Sequence, residues 1–170
     1  YSHIDYEDFS DSHLEDYMGD SYAKTQWFWA KDTLFGTEKE TLFIGRYVHS
    51  MEYASKPGLL LIKMNDNFLE TILGKDRSMT DEVQIGILDK EGNLCAAWCP
   101  KGTKIADAVK QEVYKISAQE TSGILAKSQK VSGGVCSVYK ESGSGMTVFT
   151  VVPSSVMTQG TMRVLTVLIG

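Results

Sequence analysis

Apolar positions in this chain follow two different periods. Leu14, Met18 and Tyr22 recur every fourth residue with Tyr17 beside them, which is the stripe a helix turns toward a core. Ser12-His-Leu-Glu15 has the pattern of a capping box with acids in the first turn, so a helix is predicted over about 13–32, weakened by Gly19. Strand formers dominate TLFIGRYV at 41–48. Pro57-Gly58 then marks a turn into 58–64, a run so uniformly apolar that both faces of its strand are expected to be covered. Asn67, with Glu70 three residues on, caps a short helix within 65–74. The runs 83–88 and 93–98 flank Asp89-Lys-Glu-Gly92, a four-residue hairpin connection in which Gly supplies a positive φ. Ile105, Val109, Val113 and Ile116 predict an amphipathic helix over 103–120. Ser132-Gly-Gly134 breaks the chain. The runs 135–140 and 146–152 then surround the loop ESGSG, and Pro153-Ser-Ser155 opens a last helix.

About six strands, two pairs of them hairpins, with helices at the start, middle and end, define an α+β chain whose central sheet is largely antiparallel. Strands and crossover helices do not alternate, which excludes a doubly wound sheet. The 170 residues suit one core or two half-sized lobes. Apolar content of 42% with 23% charged residues is ordinary for a folded chain, so most of it is expected to be ordered. The acids are uneven. Residues 1–20 hold seven of them and no Lys or Arg, a solvated surface or a cation site. No basic stripe exists for nucleic acid.

Little of the sequence carries catalytic or metal chemistry. His3, His13 and His49 are scattered and lack ligand spacing. Asp89, Glu91 and Gly92 lack the alternating acids of a calcium loop, and the Gly-rich turns lack the Lys of a phosphate loop. No cofactor and no metal are expected. In a strand, Cys95 and Cys99 lie roughly 13 Å apart, beyond disulfide reach. Cys136 either pairs with one of them or stays a buried thiol.

Two places hold more than fold information. Gln26-Trp-Phe-Trp-Ala30 concentrates aromatics at the end of the first predicted helix, either as core or as the wall of a ligand cage. Arg46 interrupts an apolar strand whose alternation sets Phe43, Gly45 and Tyr47 on one face and Ile44, Arg46 and Val48 on the other. It is either exposed at an edge or turned into a pocket to meet an anion.

The ordered set Trp29-Ala30, Gly45-Arg46, Pro57-Gly58-Leu-Leu-Leu-Ile62, then ILDKEG at 87–92 and MTVFTVV running into Pro153, resembles Cache domains. These are the extracellular PAS-like sensor modules of bacterial membrane receptors. The resemblance covers roughly 25–170 and departs from the family at Phe149, where a Trp is usual, and in its shortened N-terminal helix. It implies a PAS-like fold with five to six central strands and helices around them. It implies the sensor of a two-component histidine kinase, non-enzymatic in itself, with a chemoreceptor as the near alternative. Trp29, Arg46, Tyr47, Asp89 and Trp98 are the candidate ligand contacts, with at most one of Arg46 and Tyr47 direct. The partner would be a small molecule or a ligand-loaded binding protein, and a homodimer fits the same reading.

The resemblance divides the chain into an acidic segment and helix at 1–32, a sensor core at 33–153 and a C-terminal helix at 154–170. The closing VLTVLIG is either the last turns of a core helix or the opening of a transmembrane helix. A start at Tyr1 and an end at Gly170 imply a piece of a longer protein that sits on the outer face of a bacterial membrane. Outside this class stand a cytosolic PAS-like or profilin-like interaction module, and a small hydrolase using Cys136 or Cys95.

Overall fold

The computed structural model describes residues 4–18, 24–48, 58–73, 82–100, 102–119, 128–141 and 143–157. The chain divides into two compact units, Tyr1–Asp66 and Asn67–Gly170, a division that falls inside the 33–153 segment drawn from the sequence.

The first unit opens with helix α1 (Tyr6–Asp11) and a 3₁₀ turn, Leu14–Tyr17. Three strands follow in a simple antiparallel order: β1 (Gln26–Lys31), β2 (Glu40–Val48) and β3 (Gly58–Lys63). The helix predicted over 13–32 is therefore corrected. His13 takes a left-handed backbone with φ 57°, which ends α1 early. The Ser12 hydroxyl accepts the Leu14 N–H at 3.3 Å and so caps a 3₁₀ turn instead of a long helix. Leu14 and Met18 are buried as their spacing required; Tyr22 lies outside the described residues. QWFWAK is a strand because it alternates, with Phe28 and Ala30 buried and Trp27 and Lys31 exposed. It also pairs along its whole length with β2. Phe9, Leu14, Met18, Phe28, Ala30, Phe43 and Tyr47 form this unit's core, with Phe28 stacked between Tyr17 and Phe43 at 5.2 and 5.5 Å.

On the other face of that sheet Leu42 is buried, while the β3 edge is exposed. Leu60 and Ile62 on β3 are 51% and 44% exposed, which corrects the expectation that both faces of 58–64 are covered. Leu59 and Leu61 pack on the core, so the strand has one dry face only.

The second unit holds helix α2 (Phe68–Leu73), strands β4 (Gln84–Leu88) and β5 (Leu94–Trp98), helix α3 (Asp107–Gln119), and strands β6 (Gln129–Val131), β7 (Gly134–Lys140) and β8 (Thr147–Pro153). They form an antiparallel sheet in the order β5-β4-β8-β7-β6, so its first and last long strands meet in the middle. Both predicted hairpins are present. In the β4–β5 turn Gly92 sits at φ 88°, and the Asp89 carboxylate accepts N–H groups of Glu91 and Asn93 at 2.9 and 2.8 Å. Helix α3 turns Val109 and Val113 onto the sheet, where they join Leu88, Cys136, Val138, Phe149 and Val151. Residues 154–157 begin a helical turn after Pro153; the remainder of the predicted final helix lies outside the described residues. The chain is α+β with five- and three-stranded antiparallel sheets, two more strands (β1 and β6) than the sequence pattern revealed.

Candidate functional site

A cleft of the first unit lies between α1 and the loop that follows β1. It has a volume of about 340 Å³ and is lined by Ile4, Asp8, Asp11, Ser12, Thr33 and Leu34. That size lies at the small end of ligand pockets. Asp8 and Asp11 come from one face of α1 at a three-residue spacing and stay exposed, so their charges reach solvent. The Thr33 hydroxyl donates to the Ser12 carbonyl at 2.9 Å, tying the loop to the end of the helix. Leu34 is half-buried against the core and gives the cleft an apolar wall.

Asp32 holds this loop in place. It is fully buried, and its carboxylate accepts the Phe35 N–H at 2.8 Å, the Thr37 hydroxyl at 2.5 Å and the Lys63 ammonium at 2.6 Å. Its own backbone closes the loop through Asp32 N–H to Lys39 C=O at 2.8 Å and Glu38 N–H to Asp32 C=O at 2.9 Å. Burial alone would raise the Asp32 carboxyl. The bonds from Lys63, Thr37 and Phe35, together with the Lys63 charge, overcome that and lower it to about 2. Lys63 also lies 5.8 Å from the Phe35 ring centroid, a cation–π contact over the same loop. The result is a rigid frame behind an acid-rimmed cleft, suited to a small molecule with a cationic group and a short apolar part.

The residues singled out from sequence do not converge. Trp29 and Arg46 share the face of the three-stranded sheet opposite Phe28 and Phe43. Trp29 pairs with Leu42, so Arg46 is four residues further along β2, roughly 13 Å away. Trp27 lies between them, opposite Ile44, and is 40% exposed. Trp29 donates its indole N–H to Glu40 at 3.3 Å, and Arg46 is exposed with no ion pair among the described residues. Tyr47 points to the opposite face and is a core residue at 8% exposure, as the alternation required. Asp89 and Trp98 belong to the second unit. Asp89 closes its turn, with a further bond from the Asn93 amide at 2.9 Å, and half-buried Trp98 pairs with Ile85 at the end of β5.

Sequence reasoning missed the cleft residues Asp8, Asp11, Thr33 and Leu34. The signal was the cluster of acids without Lys or Arg in residues 1–20, but the loop that completes the cleft comes from 21 residues beyond Ser12.

No disulfide joins Cys95, Cys99 and Cys136 to one another. Burial pushes the Cys99 and Cys136 thiols up, so both stay protonated at neutral pH, unlike an activated nucleophile. Among the described residues no group of three or more His, Cys, Asp or Glu is placed to hold a metal ion. No helix of the described residues is long and apolar enough to cross a membrane.

No protein-family model matches the sequence, and no curated protein matches it. Solved structures do. The extracellular domain designated histidine kinase rpHK1S-Z16 superposes with a TM-score of 0.51 at 11% identity, over 91% of this chain and 63% of that one. The ligand-binding domain of Mlp24 with asparagine gives 0.43 at 15% identity, over 92% and 61%. The sensory domain of the Campylobacter jejuni chemoreceptor Tlp3 with isoleucine bound gives 0.38 at 13% identity, over 82% and 56%. The chain thus spans less than two thirds of each of these structures. The first likeness shows that this chain shares the fold of that extracellular domain.

Proposed function

We propose that this chain is the extracytoplasmic ligand-sensing region of a bacterial membrane receptor, a two-component sensor histidine kinase. The observation that carries this reading is the shared fold with a histidine-kinase extracellular domain over 91% of the chain. The sensed molecule binds in the cleft of the first unit. Asp8 and Asp11 anchor a cationic group, and Ile4 and Leu34 contact its apolar part. Trp29 and Arg46, on one face of the neighbouring sheet, would meet a ligand-loaded binding protein. Flanking helices attach the whole to a membrane, a second copy completes a homodimer, and the output module carries the kinase activity.

A receptor of this kind needs only a few kcal/mol of differential affinity between two signalling arrangements. A thermal-shift screen of amino acids, polyamines, organic acids and sugars tests for the binding half of the reading. A compound present at 100 times its dissociation constant stabilises the folded state by about 2.7 kcal/mol, roughly 5–10 °C for a chain of this size. Shifts are expected from members bearing an ammonium group. Shifts confined to uncharged or purely anionic members would remove the acidic cleft as the binding place.

A further inference from the structure

The second unit contains an unbroken series of polar bonds that runs from α3 to the point where the chain leaves β8. Glu112 on α3 grips Ser132 twice. One carboxylate oxygen accepts the Ser132 backbone N–H at 2.6 Å and the other accepts the Ser132 hydroxyl at 2.7 Å. Ser132 and Gly133 form the two-residue turn between β6 and β7, closed by the Val131–Gly134 pair. The Gly133 carbonyl then accepts the N–H of Ser154 at 2.8 Å, and Ser154 begins the helical turn after β8. Contact between turn and exit is tight. Gly134 pairs with Pro153, and a Cβ built at Gly134 would lie 2.3 Å from the Val152 carbonyl oxygen and 3.2 Å from the Pro153 Cα. Nothing larger than Gly fits there without moving the exit strand.

Ser132 and Gly133 are both exposed, while Val131 beside them packs on the core to which α3 contributes Val109 and Val113. The Glu112 grip adds the polar tie between the exposed tip of the turn and the helix. The grip is charge-assisted and bidentate, which gives it direction as well as strength.

We propose that Glu112 is a positioning residue that ties α3 to the helical turn at 154–157, directly after β8, through Ser132 and Gly133. A displacement of α3 along the sheet is delivered to Ser154. Its use in signalling rests on the receptor reading above; the coupling is a property of the second unit alone. Ser132 bonding holds the Glu112 carboxyl below the usual carboxylate range, with Lys115 adding to it, so the grip is ionised at neutral pH.

Backbone amide exchange of the 170-residue chain, read residue by residue without any ligand, tests the coupling. Glu112→Ala is expected to speed exchange at Ser132 and at Ser154 by about tenfold each, while Gly86 and Ile87 in β4 change less than twofold. Glu112→Gln is expected to stay within about threefold of the parent at both sites, because its oxygen can accept the N–H and its amide can donate to the hydroxyl. Ser132→Ala, which removes only the hydroxyl bond, should fall between the two. Faster exchange at Ser132 with Ser154 unchanged overturns the proposal. Equal acceleration at Ser154 and in β4 also overturns it, because the effect would then be global loss of stability. The experiment involves no ligand, so its failure leaves the sensor reading standing.

Discussion

Replacing Asp32 with alanine will destabilise the first unit by about 3 kcal/mol, the low end of the 3–5 kcal/mol typical for breaking a buried ion pair from one side. Asp32 is fully buried, and its loss leaves the Phe35 N–H without its acceptor and the Lys63 ammonium without its counter-charge, with the Thr37 hydroxyl at 3.0 Å as its remaining polar contact here. Lys63 keeps 23% side-chain exposure and can partly rehydrate, which sets the loss at that lower end. Urea unfolding followed by fluorescence in a Trp98→Phe background reports this unit, because Trp27 and Trp29 are both on β1. The double change Asp32→Asn with Lys63→Met removes both charges and should recover part of the loss. A loss under 1 kcal/mol for Asp32→Ala would show that the loop stands without this frame.

The same carboxylate predicts an acid limit. Its folded value, about 2, lies below the ordinary 3.8, so the unfolded chain takes up the proton first as pH falls. The stabilisation is complete above about pH 5 and is lost on descending through pH 4 toward pH 2. It amounts to about 2 kcal/mol. Thr33 and Leu34 follow Asp32 directly and line the cleft, so binding should weaken across the same window.

Phe149→Ala is expected to cost about 3–5 kcal/mol in the second unit. The ring is 1% exposed at the centre of the five-stranded sheet and fills the space over Gly86, where a Cβ would lie 2.3 Å from its ring tip. Because β4 carries no side chain at Gly86, removing the ring leaves a cavity that neighbouring side chains must collapse to fill. Ile105, Val109 and Val113 are held by α3 and its lead-in, and they cannot all move inward. Unfolding followed through Trp98 alone, with Trp27 and Trp29 replaced by Phe, should show a lower urea midpoint at an unchanged slope. A loss below 1 kcal/mol would mean that the core closes over the gap.

Local chemistry made much of this fold readable. Asp89 and Gly92 suit a four-residue turn, and Val109, Val113 and Ile116 can share a face only as a helix, whereas Ile105 reaches the same core from the segment before α3. Arg46 and Tyr47 could be set on opposite faces because strand alternation has a period of two. β1 was not readable. QWFWAK suits a helix end or a strand equally well, and its pairing with β2 decides the matter. Three-residue β6 is too short to show a period and exists through β7. The candidate cleft failed for a related reason. Thr33 meets Ser12 across 21 residues and Lys63 meets Asp32 across 31, and no local pattern announces either contact. Misreading β1 as helix also hid that Trp27, not Trp29, lies beside Arg46.

The sensor reading meets its most direct test in isothermal titration of the most strongly stabilising ammonium compound from the thermal-shift screen into the 170-residue chain. The account predicts saturable binding at one site per chain, weakened at least tenfold by the combined Asp8→Asn and Asp11→Asn changes and little altered by Arg46→Ala. Affinity that is unchanged in the double Asp variant, or the absence of saturable heat from every compound in the screen, would contradict it.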